Sequence, residues 1–171
     1  MPGRALPFSG RTGAYCGRPP ATVSLLGHLC RTGPSMKADT VPFASPTGLQ
    51  ALVDSCRQAL RHIDPNRVRV AAAVLSREGR IFTAVQVRSR NCSHCSVCAE
   101  AVAIGMAFTA RAFDLVAAAA VMRDDDRIAI ASPCGGCREL LRDHGVDQVV
   151  VSQAEDGTLI TARPTDLLPW P

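Results

Sequence analysis

The sequence predicts an α/β domain of three layers, α/β/α, with a five-stranded mixed sheet between helices. Apolar residues recur at helical spacing in LQALVDSCRQALRHI and again after Cys134, whereas VRVAAAVL, RIFTAVQV, LVAAAAVM, RIAIAS and VDQVVVS are short continuous or alternating apolar runs of strand length. Helical and strand patterns interleave in the order helix, strand, strand, helix, strand, strand, helix, strand, which packs as layers rather than as a bundle or a sandwich. A chain of 171 residues that is 47% hydrophobic supplies one ordinary domain with a real core.

The domain is expected to span 48–171, after an N-terminal extension over 1–47. That extension holds seven of the twelve prolines and six of the thirteen glycines, and five Arg or Lys against Asp39 alone. Proline removes a donor and glycine adds backbone entropy, so a flexible segment is expected, or a misassigned start with Met36 as the true one. From Ser45-Pro46-Thr47, a capping cluster, the first helix carries Leu49, Leu52, Val53, Cys56 and Leu60 on one face. Asp64-Pro65-Asn66 turns the chain into a buried strand from Val68 to Leu75, and Arg77-Glu78-Gly79 makes a hairpin with the next. The stretch Cys98–Phe113 is apolar almost all round and is expected to be a buried helix. Two further strands flank the solvated turn Asp124–Asp126; a helix from Cys134 stops at Gly145, and VDQVVVS is the fifth strand. Thr161 to Pro171 is expected to form a short helix or docking arm.

Charge and composition exclude several function classes. After residue 47 there are 14 Arg and 14 acidic residues, so the domain has no basic excess for a duplex, and aromatics at 4% make a poor base-stacking platform. No run of about 18 apolar residues offers a conventional membrane span. A small substrate, no nucleic acid, no membrane and a cytoplasmic setting are the expectations.

Eight cysteines without a credible signal peptide argue against a disulfide scaffold. Cys134-Gly-Gly-Cys137 sits where a strand gives way to a helix, and Cys98-Ala-Glu100 where a loop enters one. Helix N-termini favour thiolates through the dipole and free N–H groups. Three thiolates leave one position open on a tetrahedral zinc, and an open zinc holds and acidifies water. Glu100, in the first helical turn, can face that water without ligating and act as the proton shuttle.

CAE at 98–100 and SPCGGCRELL at 132–141 resemble the small, homo-oligomeric zinc cytidine deaminases, as do AAAVLSREGRIFTAVQV and the terminal DLLPWP. The similarity covers roughly 48–171. It implies the cytidine-deaminase-like fold, one Zn2+ per subunit held by Cys98, Cys134 and Cys137, and Glu100 as the catalytic residue. It further implies that the backbones of Ala99 and Ser132 hold the base's ring oxygen and amino group, that Arg138 offsets thiolate charge, and that Trp170 reaches a neighbour's pocket in a homotetramer or dimer. The sequence departs from the family at three places. Gln86-Val87-Arg88 stands where Asn-x-Glu binds ribose hydroxyls; Ala101 follows CAE where Arg is usual, as in the blasticidin-S deaminase branch; and Val68 replaces a Phe that packs on the base. A guanidinium cannot accept a hydrogen bond, so Arg88 suits a substrate bearing carboxylate or phosphate.

The expected activity is hydrolytic deamination of cytidine, deoxycytidine or a close aminopyrimidine nucleoside. A blasticidin-S-type or other amino-heterocycle deaminase, a polynucleotide-editing deaminase and a non-catalytic zinc module remain as alternatives, as does a redox or structural role for the CxxC pair. Cys92, Cys95 and Cys98 form a CxxCxxC run like that of iron–sulfur proteins but lack its fourth ligand, so Cys92 and Cys95 are expected to be loop thiols, with His94 a polar loop residue.

Overall fold

The computed structural model describes residues 45–169. The expectations for residues 1–44, Met36 among them, and for Trp170 lie outside the described residues. Three helices and six strands follow in the order α1 (Pro46–Arg61), β1 (Val70–Ser76), β2 (Ile81–Val85), α2 (Ala99–Thr109), β3 (Leu115–Asp124), β4 (Arg127–Ile130), α3 (Gly135–Asp143), β5 (Gln148–Gln153) and β6 (Leu159–Ala162). The strands form one mixed sheet in the order β2-β1-β3-β5-β6, with β4 also paired to β3. Only β3 and β5 run parallel; the other pairs are antiparallel.

Local chemistry explains most element boundaries. The Ser45 hydroxyl caps α1 by accepting the Gly48 N–H at 3.1 Å, and Pro46 starts the helix where its missing donor costs nothing. The five apolar residues expected on one face of α1 are all buried. Gly79 turns the β1–β2 hairpin with φ of 81°. Helix α3 ends before Gly145, whose φ of 67° closes it in the left-handed conformation.

Two expectations are revised by tertiary structure. A sixth strand, β6, joins the five expected ones. It returns from β5 through a turn in which Asp156 accepts the Thr158 N–H at 2.9 Å and Gly157 has φ of 89°. Helix α2 is shorter and less buried than Cys98–Phe113 suggested. It ends at Thr109 because Arg111, at φ of 60°, takes the left-handed closing position usually given to glycine. Its buried residues are Ala99, Glu100, Ala103, Ile104 and Ala107, while Met106 stays 47% exposed and the following Phe113 64%.

Helix α1 packs on one face of the sheet against Ala71, Ala73 and Leu75 of β1 and Val116, Ala117, Ala119 and Val121 of β3. On the other face Val74, Ala84, Leu115 and Ala118 meet Ala103, Ile104 and Ala107 of α2 and Leu141 of α3. This is the expected three-layer arrangement. Beneath the start of α2 the contact is made of alanines alone, Ala72, Ala99 and Ala120, with Val70 and Ala131 at its margin. At Ala120, β3 also changes partners. Its first half pairs with β5 at Ala117 and Ala118, and its second half with β4 from Val121 onward. The chain leaves β4 there, the Ala131 N–H still donating to the Ala120 carbonyl at 2.9 Å, and runs directly to Cys134.

The last described segment is a docked arm, as expected. A single 3-10 turn over Pro164–Leu167 lies on α3, where the Arg138 guanidinium donates to the Leu167 carbonyl at 2.8 Å and to the Pro133 carbonyl at 2.9 Å.

Because Ala72 is wholly buried under α2, Ala72→Leu is expected to overpack this contact and cost about 1–3 kcal/mol. A urea unfolding curve checks this; an unchanged midpoint would contradict the packing described.

Candidate active site

Cys98 occupies the N-cap of α2 and Cys134 the N-cap of α3, both with extended backbone, and Cys137 follows in the first turn of α3. Each cap lies where the first helical N–H groups have no intrahelical acceptor, so two positive dipole ends point toward the same thiols. The three Sγ atoms lie within 4.8 Å of one another, and Cys98 Sγ is 3.7 Å from Cys134 Sγ. That separation is far longer than a disulfide. Two sulfurs bound to one tetrahedral zinc at about 2.3 Å each stand about 3.8 Å apart. The donor set fits the metal in number, type and spacing.

The electrostatics distinguish the three thiols, and the rise at two of them runs against the thiolate form that the helix ends favour. Burial pushes the Cys137 thiol up, and the charge of Glu100 adds to the effect. Burial raises Cys98 as well, followed by its hydrogen bond to Cys134. At Cys134 desolvation is outweighed by the backbone N–H of Cys137 and by the two neighbouring thiols, and the group is held below its ordinary value. Three thiolates and a carboxylate repel one another unless a cation sits among them, and a bound dication deprotonates its thiols outright.

Glu100 is only 6% exposed and makes no hydrogen bond or ion pair among the described residues. Helix position places it there: two residues after Cys98, in the first turn of α2, on the buried side that also carries Ala99 and Ala103. Its charge acts on all three thiols of the cluster.

The other expected site residues are distributed around this cluster. Ala99 is fully buried under the first turn of α2, and Ser132 is exposed just ahead of Pro133. Gln86 is half-buried and Arg88 exposed, both beyond the end of β2. There Val87 and Val97 form a two-way backbone bridge, at 3.0 and 2.8 Å, which sets Gln86 across from Cys98. Arg138 uses its guanidinium on the Pro133 and Leu167 carbonyls, so it fixes the backbone on which Cys134 is mounted. The residue type announced charge; only the fold reveals this bracing. Val68 packs with the core under α1.

Cys92 and Cys95 are exposed on the turn Ser93–Cys95 and are not gathered with Cys98 or His94 into a metal-sized group among the described residues. Cys56 is buried against the Ala119 carbonyl at 3.6 Å, and burial pushes its thiol up to about 12, an inert core group. Cys98 and Cys134 are exposed, and a Cβ placed on Gly135 or Gly136 would meet nothing within 4 Å, so one side of the cluster is open.

Comparison with known proteins bears on the same residues. The family model for the cytidine and deoxycytidylate deaminase zinc-binding region matches residues 47–153. A blasticidin-S deaminase from Bacillus cereus is 33% identical over 111 residues, covering 62% of this chain and 78% of that protein. Among solved structures, the cytidine deaminase from Bacillus anthracis superposes with a TM-score of 0.61 at 26% identity, over 71% of this chain and 87% of that one. The cytidine deaminase from Burkholderia pseudomallei gives a TM-score of 0.57 at 25% identity, over 70% and 95%. With the matched region running through both cysteine-bearing helix starts, the chain belongs to the zinc-binding cytidine and deoxycytidylate deaminase family.

Proposed function

We propose that the chain hydrolytically deaminates cytidine, deoxycytidine or a close aminopyrimidine nucleoside analogue, giving the uridine form and ammonia. The observation that carries this reading is Glu100, 6% exposed and without a protein hydrogen bond among the described residues, in the first turn of the helix that one of three convergent thiols caps. Cys98, Cys134 and Cys137 are the zinc ligands in this reading. A zinc ion held by them would acidify a water and so supply the nucleophile. Glu100 takes up the proton which that water gives up and delivers it toward the departing amino group, so that water adds at C4 of the base and ammonia leaves. The backbones of Ala99 and Ser132 hold the ring oxygen and the amino group, and Gln86 lies toward the sugar. Burial of Glu100 keeps bulk water from competing for the proton.

A second reading, a blasticidin-S-type deaminase, is supported by the Bacillus cereus relative and by Ala101 and Gln86-Val87-Arg88. It shares the same chemistry, with ammonia leaving in both, and differs in the substrate. A homotetramer or dimer belongs to the proposal too. The open thiol cluster and the exposed Met106 and Phe113 support neighbouring subunits completing each pocket. A cytoplasmic setting, in which thiols stay reduced, is likewise part of the proposal.

Two measurements test the proposal. Metal analysis of purified protein is expected to give equimolar zinc, lost in Cys134→Ser and retained in Cys92→Ser; equal zinc in both variants would displace the site. Glu100→Gln is expected to keep its zinc and fold while ammonia release from cytidine, deoxycytidine or blasticidin S falls by about 10²–10⁴. A Glu100→Gln variant releasing ammonia as fast as an active parent would remove Glu100 from the catalysis, and a zinc-loaded parent inactive on every substrate would leave a non-catalytic zinc module.

A further inference from the structure

Two thiols stand apart from the cluster, on the loop that joins β2 to α2. Cys92 and Cys95 mark the ends of a single turn, in which the Cys95 N–H donates to the Cys92 carbonyl at 3.0 Å. A backbone bond across three residues keeps the two end Cα atoms within about 7 Å, close to the span that a disulfide bridges. The side chains already meet, since the Cys95 thiol hydrogen-bonds to the Cys92 sulfur. Both residues are free thiols and both are exposed.

The turn is held at each end. The Ser89 hydroxyl accepts the Cys92 N–H at 3.1 Å, and the Ser96 hydroxyl accepts the Ser89 N–H at 3.1 Å. Val97, paired with Val87 by two backbone bonds, then separates the turn from Cys98. A change confined to Cys92 and Cys95 therefore lies within a loop whose ends are already fixed.

The surroundings favour a thiolate at Cys92. From Ile81 to Ala99 the chain carries Arg88 and Arg90 and no acid. Ser89 also lines a cavity of about 540 Å³ with Asn66, Arg67, Arg88 and Arg90, three of them guanidinium groups. The Cys95 thiol, followed by the backbone N–H groups of Cys95 and His94, holds Cys92 below its ordinary value, and the same thiol contact raises Cys95. A nucleophilic cysteine and its resolving partner are built in this way.

We infer that Cys92 and Cys95 form a reversible redox site, oxidised to an internal disulfide by low-molecular-weight disulfides such as glutathione disulfide. The Cys92 thiolate attacks one sulfur of the oxidant, so that a mixed disulfide forms and one glutathione thiolate leaves. The Cys95 sulfur then attacks Cys92, the Cys92–Cys95 bond forms and the second glutathione thiolate leaves. Two protein thiols are oxidised, one disulfide is reduced, and the two thiol protons end on the two glutathiones. In a compartment that keeps thiols reduced, such a bond is transient.

The test equilibrates the full chain with mixtures of reduced and oxidised glutathione, quenches with acid, alkylates free thiols and maps the cysteines by mass spectrometry. A Cys92–Cys95 disulfide that dithiothreitol reverses is expected. Cys95→Ser is expected to retain glutathione on Cys92, and Cys92→Ser to take it up at Cys95 at least about tenfold more slowly. Zinc content, read on the same samples, is expected to stay equal in the two redox states. Glutathione that remains on Cys92 in the parent, or a disulfide from either thiol to a different cysteine, would overturn the inference. So would two free thiols where oxidised glutathione predominates, thiols that react only after a chelator has stripped metal, or zinc released in step with oxidation.

Discussion

Everything in the site depends on how close the start of α2 comes to the sheet at Ala120. Methyl groups alone separate them, on Ala72, Ala99 and Ala120. At the same residue β3 exchanges β5 for β4 as its neighbour, so the chain leaving β4 is released from the sheet where α2 begins. Two helix starts from distant parts of the sequence are thereby brought to one point, and sulfurs 36 residues apart in sequence lie 3.7 Å from each other. A larger side chain beneath α2 would lift one cap away from the other, and tetrahedral coordination tolerates little such displacement. Small residues here serve distance, because they contribute little hydrophobic area of their own.

The electrostatic arrangement follows from that meeting. Three thiols and a carboxyl group are gathered at positive helix ends, and Glu100 has no protein hydrogen bond among the described residues. In a core made only for stability such a carboxylate would be paired or replaced. It stands beside an opening over Gly135 and Gly136, where a Cβ would meet nothing within 4 Å.

Much of this was legible from the residues alone. Periodicity located α1, and strand-length apolar runs located β1 to β5, because each of these elements buries a face that the sequence must mark. Cysteine spacing at two helix starts located the cluster. Strand β6 went unseen because LITA is short and half-exposed, although Asp156-Gly157 between two apolar stretches is a hairpin signal that could have found it. The end of α2 carried no signal, since Arg111 rather than glycine takes the left-handed position. The gathering of Arg67 with Arg88 and Arg90 was equally invisible. It arises where the entry to β1 lies beside the exit from β2, a fact of tertiary placement and not of local pattern.

Arg138 has a mechanical consequence. Its guanidinium is a flat, rigid group, and it holds the Leu167 carbonyl with one nitrogen and the Pro133 carbonyl with another. The peptide before Cys134 and the arm that ends the described chain are therefore fastened to one plate. A pull on the docked arm is delivered through Arg138 to the backbone carrying Cys134. The rim of the domain thus has a short lever on the sulfur of Cys134.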